Sequence, residues 1–208
     1  MLDFELIPAA EKDSRRLMVV LHGLGDSAAG YQWLPAAMEL PWMNYALVNA
    51  PEEYYGGFSW YDIYGDSAPG VKRSREMLFE VLDAQRAKGF PTEQTTLFGF
   101  SQGCLMVTEL GARYPHLFAG VVGVSGYVFE PEKLVKEFSP IALKQRFFVS
   151  HGFQDPVVPF SGARQGFLQL KEAGLNISWH ELQKVHTIAG EEELSLIRDF
   201  VVAGYPSR

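Results

Sequence analysis

A serine stands between two glycines at Gly99-Phe100-Ser101-Gln102-Gly103, directly after the apolar run Thr95 to Phe98. A serine hydroxyl becomes a useful nucleophile only when a base takes its proton and donors hold the charge that its attack creates. If a strand ends at Phe98 and a helix begins near Gln102, the turn between them is very tight, and a side chain at Gly99 or Gly103 would strike neighbouring backbone. The glycines make room for that turn. Ser101 is then pushed out above the sheet at a helix N-terminus, whose free N–H groups favour developing negative charge. The chemistry this permits is attack on an acyl carbon. The pattern alone also describes an ordinary glycine-flanked turn, so the partners decide.

The base must be a histidine oriented by a carboxylate, and in this strand-turn-helix arrangement the chain order is Ser, then Asp or Glu, then His. That order eliminates His22 and leaves His116, His151, His180 and His186. His116 falls at the far end of the helix that starts at the serine, and His180 lies inside the alternating strand Ile177 to Leu182. Both read as structural or solvated. His151 follows a strand in FFVSHGFQDPVVPF, where Asp155 is the only acid in the same loop. His186, in KVHTIAGEEE, stands between the last strand and the last helix, on a loop able to lay an imidazole across the sheet edge. Ser101, Asp155 and His186 are the expected triad; a turn-forming Asp before Pro156 is the plainer reading of Asp155. Backbone N–H groups for an oxyanion are expected from Gln102, after the nucleophile, and from Leu24, in the glycine-rich turn of VVLHGLGDS.

These residues need elements to position them. Short apolar runs alternate with longer amphipathic segments. Strands are predicted near Leu17 to Leu21, Tyr45 to Val48, Thr95 to Phe98, Gly120 to Val124, Arg146 to Ser150 and Asn176 to Leu182. Helices are predicted over Tyr31 to Leu40, Val71 to Lys88, Gln102 to Tyr114, Ser161 to Ala173 and Glu191 to Val202. The alternation predicts an α/β fold with a sheet parallel in its centre, residues 1–208 forming one domain. Ala50 to Gly70 breaks the pattern as a long connection with six aromatic residues and no periodicity. Loops of that kind are usually functional.

Other chemistries find little support. The 208 residues carry 18 Lys and Arg against 25 Asp and Glu, a formal charge of -7 with no basic cluster, which disfavours nucleic acid and anionic membranes. No Gly-Lys-Ser/Thr follows HGLG, so no phosphate loop is predicted, and the five histidines and single cysteine show no paired metal-ligand spacing. No cofactor and no metal are therefore expected. The lone cysteine, the lack of a signal-peptide pattern and the lack of a run of about 20 apolar residues point to a reducing, cytoplasmic setting without membrane anchoring.

Six motifs in order resemble the α/β-hydrolase carboxylesterases grouped with acyl-protein thioesterases and lysophospholipases: HGLGDSAAGY from His22, SWYDIYG from Ser59, GFSQG from Gly99, SGYV from Ser125, HGFQDPVVP from His151 and HTIAGEEELSLIRDF from His186. The resemblance covers nearly the whole chain. It implies an α/β-hydrolase fold, a mostly parallel sheet flanked by helices on both faces, with Ser101, Asp155 and His186 as the triad and Leu24 and Gln102 as oxyanion donors. Two positions depart from the family pattern, Cys104 and Val185, both usually glycine. Cys104 is expected to pack between helix and sheet, a full helical turn past the exposed serine, and Val185 to restrict the loop presenting His186.

The expected activity is hydrolysis of carboxylic esters or thioesters with short to medium apolar acyl chains. Small esters, lysophospholipids and acylated proteins all fit, as monomer or homodimer; a peptidase or dienelactone-type hydrolase of the same fold, or a non-catalytic binding domain, are the alternatives. Phe58, Trp60 and Tyr61 are the candidate walls of an acyl groove, against the reading that these rings cap the core, Trp60 foremost.

Overall fold

The computed structural model describes residues 2–205. A seven-stranded sheet runs in the order β1-β3-β2-β6-β7-β8-β9. Its strands are β1 (Phe4–Ile7), β2 (Arg16–Leu21), β3 (Met43–Val48), β6 (Thr95–Phe100), β7 (Gly120–Val124), β8 (Arg146–Gly152) and β9 (Asn176–Leu182). Within this sheet only β1 is antiparallel to its neighbour; β3, β2, β6, β7, β8 and β9 pair in parallel. The central strands are mostly apolar because both faces are covered. Leu17, Val19 and Leu21 pack on one side with α2 (Ser67–Ala87), α3 (Gln102–Arg113), α4 (Pro131–Lys136) and α5 (Phe160–Glu172). Met18 and Val20 pack on the other with α1 (Leu34–Met38) and α6 (Gly190–Val202). Period-two alternation within one strand thus feeds two separate cores. Among the described residues no helix is long and apolar enough to cross a membrane.

The predicted β7 and β9 match the observed ranges, while β6 and β8 each run two residues further, carrying Phe100 and Gly152 to the carboxyl edge. Several short elements were not predicted. β1 and α4 are too short for a period to show. The reading of Ala50 to Gly70 as lacking strands is corrected: β4 (Glu52–Tyr54) and β5 (Gly57–Ser59) form a hairpin there. Its turn residues, Tyr55 and Gly56, have φ of 45° and 88°, the left-handed pair a two-residue hairpin requires. The helix after it also starts earlier, at Ser67 rather than Val71. Asp66 caps it by accepting the Ala68 N–H at 3.0 Å, and Pro69 sits in the first turn, where its missing N–H costs nothing. The single helix predicted over Tyr31 to Leu40 is instead a 3-10 turn at Ala28–Tyr31 followed by α1, which ends where Glu39 turns left-handed.

Candidate active site

The glycines of GFSQG are explained by the crossing of α3 over the sheet. A β-carbon on Gly99 would lie 2.1 Å from the Gly103 carbonyl oxygen, and one on Gly103 would lie 2.1 Å from that of Leu21. Neither distance is tolerable, so helix and strands approach this closely only without side chains. Ser101 itself is held at φ 54° and ψ -115°, a strained conformation worth roughly 1–3 kcal/mol that persists because β6 and α3 dictate it from both sides.

Three distant segments converge on it. Ser101 Oγ lies 2.9 Å from His186 Nε2, and His186 Nδ1 lies 2.8 Å from Asp155 Oδ2. Asp155 Oδ1 accepts the N–H groups of Val157 and Val158 at 2.9 and 2.8 Å, so the turn before Pro156 and the orienting carboxylate are one device rather than two readings. Burial works to raise the Asp155 pKa, but the hydrogen bond from His186 and those two amides outweigh it, and the carboxyl is held below its ordinary range. His186 stands on the loop between β9 and α6, its ring against Phe100 at 4.9 Å.

The other histidines stay away from Ser101. His151 is fully buried, its Nε2 3.0 Å from the Val158 carbonyl and 3.5 Å from Asp155 Oδ2, and burial lowers its pKa. It therefore backs the same turn from beneath. His180 stacks on Phe148, and His116 meets Tyr114 edge-on. His22 lies beside the turn Gly23 to Gly25, where Nδ1–H donates to Gly23 O and Nε2 accepts the Ala50 N–H; burial lowers its pKa, and the neutral ring serves both bonds.

Leu24 lines the same cleft as Ser101 and His186. Among the described residues its N–H and that of Gln102 have no protein acceptor, whereas Gly25 N–H is committed to Phe58 O at 2.9 Å. The Gln102 side chain does separate work. Its oxygen accepts from Trp60 N at 2.9 Å, and its nitrogen donates to Tyr61 O at 2.9 Å, stapling the aromatic segment to the start of α3.

The aromatic residues divide differently from the expectation. Tyr61 lines the cleft and donates its hydroxyl to Tyr127. Phe58 and Trp60 do not line it. Trp60 is fully buried, with Nε1 donating to His22 O at 2.9 Å, because a single indole N–H needs a partner once inside. Phe58 acts through its backbone, exchanging hydrogen bonds with Gly25 and Asp26 that hold the loop carrying Leu24. The cleft, about 420 Å³, instead takes its apolar walls from Leu24, Ile63, Phe100, Tyr127, Val157 and Val158. Sequence reading named none of these six as walls, Leu24 being expected only as a backbone donor; the one signal available was the position of Phe100, Val157 and Val158 beside Ser101 and Asp155.

A mostly parallel sheet with this strand order, bearing Ser, Asp and His in that chain order along its carboxyl edge, defines an α/β-hydrolase. The phospholipase/carboxylesterase family model matches residues 2–203, and the chain belongs to that family. Acyl-protein thioesterase 1 of Schizosaccharomyces pombe is 32% identical over 68% of this chain and 69% of its own length. The protein of the same name from Debaryomyces hansenii is 29% identical over 95% of this chain and 97% of its own. Among solved structures, esterase PE8 superposes with a TM-score of 0.84 at 27% identity, covering 98% of this chain and 99% of that one.

Proposed function

We propose that this protein is a cofactor-independent serine hydrolase of carboxylic esters or thioesters, with residues 1–208 acting as one α/β-hydrolase domain. The observation that supports it best is the unbroken pair of hydrogen bonds from Ser101 through His186 to Asp155. In this reading His186 Nε2 takes the hydroxyl proton as Ser101 Oγ attacks the acyl carbon, and Asp155 stabilises the imidazolium. The Leu24 and Gln102 N–H groups receive the oxyanion. Collapse expels the alcohol or thiol, protonated by His186, and leaves an acyl-Ser101 ester. Water, deprotonated by the same imidazole, then releases the acid and restores Ser101. The apolar cleft suits short to medium acyl chains. Lysophospholipids and acylated proteins are the larger substrates it would take, in a reducing, cytoplasmic setting consistent with the free, buried Cys104, as monomer or homodimer.

A fluorophosphonate probe tests this. Wild type should label on Ser101, while Ser101→Ala and His186→Ala should lose labelling and lose turnover by orders of magnitude. The Ser101→Ala/His186→Ala double variant should lose little more than either single one, because groups acting as a unit are not additive. Additive losses, or labelling that survives Ser101→Ala, would refute the reading.

A further inference from the structure

The loop that carries His186 is anchored at both shoulders by one carboxylate. On the near side, Lys184 Nζ lies 2.5 Å from Glu193 Oε1; on the far side, the Ala189 N–H donates to Glu193 Oε2 at 2.7 Å. Both charged side chains are out of water, at 2% and 0% exposure. The backbone of Lys184 is pinned as well. Its carbonyl accepts the Gln154 N–H at 3.2 Å, next to Asp155, and sits so close to Gly152 that a β-carbon there would lie 2.1 Å away. Between these anchors, Val185 is half exposed.

A buried ion pair is seldom more stable than apolar side chains of the same volume, since desolvating two charges offsets their attraction. This one therefore needs a reason other than stability, and its place offers one. A single carboxylate, reached by both ends of the span from Lys184 to Ala189, sets the height at which the imidazole crosses the sheet edge. We infer that Glu193, with Lys184 as its charge partner, is a positioning residue that holds His186 in register between Ser101 and Asp155. It acts through the loop and touches neither substrate nor oxyanion. The inference rests on the triad reading above. Burial draws the Lys184 ammonium below the usual lysine range, with Glu193 and the nearby Asp155 charge only partly opposing that.

The test separates positioning from stability. Lys184→Met/Glu193→Leu replaces the pair by apolar side chains of similar volume. Its Tm should equal or exceed that of wild type, yet kcat for p-nitrophenyl butyrate should fall about 10- to 100-fold, as a misplacement of roughly 1 Å does, with KM within about twofold. The rate of fluorophosphonate labelling should fall in parallel with kcat. Ala189→Pro is the second variant. Its φ of -81° is within reach of proline, so it removes the one N–H that Glu193 Oε2 accepts, and kcat should again fall at unchanged KM. A folded double variant, or a folded Ala189→Pro, with wild-type kcat overturns the inference while leaving the triad intact. Hydrolysis surviving in Ser101→Ala overturns the triad and the inference together.

Discussion

Leu24 and Asp155 are the residues at which backbone and side chain can be told apart. If Leu24 acts through its N–H, Leu24→Ala should cost little, whereas Leu24→Pro should lose about 2.7 to 4 kcal/mol of transition-state stabilisation, the size of one oxyanion donor. Hydrolysis kinetics on variants with native circular dichroism decide it, and equal small losses would remove Leu24 from the oxyanion site. For Asp155 the folded-state pKa is depressed, so its ionised form adds stability that is present above the unfolded value and disappears as pH falls through the folded one. Asp155→Asn should therefore melt below wild type at pH 7, and the gap should close as the pH drops below about 4, where the unfolded carboxyl takes up its proton. A gap constant from pH 7 to pH 2 would mean that the charge is not what the site stabilises. Cys104, fully buried with its thiol pushed up to about 12, should ignore thiol reagents until the protein unfolds.

The β4–β5 hairpin is an element whose task lies elsewhere than in its own side chains. Gly57 has no room for a β-carbon, since one would sit 2.1 Å from the Gly25 carbonyl oxygen, and it is there that the hairpin pairs with the loop carrying Leu24. Gly57→Ala should displace that loop and lower kcat about 10- to 100-fold. Gly56→Ala is the control. Its φ is 88° with open space around it, so the variant should lose about 1–2 kcal/mol of stability from left-handed strain and keep its kcat. Thermal melting beside steady-state kinetics separates the two, and matching kinetics would deny the hairpin any part in shaping the site.

At the scale of the molecule, the cleft lies where loops following β2, β6, β7, β8 and β9 meet, as ligand sites on parallel sheets do. The segment from Gly126 to Ser139 holds only α4, and nothing in it is long enough to close over Ser101 as a lid. Each acyl methylene buried in the cleft should add up to about 0.8 kcal/mol, near fourfold in kcat/KM, until the walls are filled. Acetyl, butyryl and octanoyl p-nitrophenyl esters measure this. Val157→Ala and Tyr127→Ala should flatten the length dependence, whereas Phe58→Ala and Trp60→Ala should lower Tm and leave the dependence unchanged. The reverse pattern would return the acyl groove to the hairpin.

Ser101, Asp155 and His186 were legible in the chain because their constraints are local or ordinal. Gly99 reflects a steric collision within five residues, with the Gly103 carbonyl, while Gly103 makes room for β2 at Leu21, and the order Ser, Asp, His follows from which strand ends share one sheet edge. The central strands were legible for a similar reason: burial on both faces leaves no polar alternation. The cleft walls were not. Whether Trp60 faces substrate or core depends on a hydrogen bond to His22, 38 residues away, and Tyr127 reaches the cleft through Tyr61, 66 residues away. Side-chain direction in an aperiodic segment carries no sequence signature, so only the packed structure assigns those rings. The Glu193 anchor belongs to the same class. Nothing at the predicted helix start sets Glu193 apart from Glu191 and Glu192, and it is buried where the fold brings Lys184 and Ala189 to meet it.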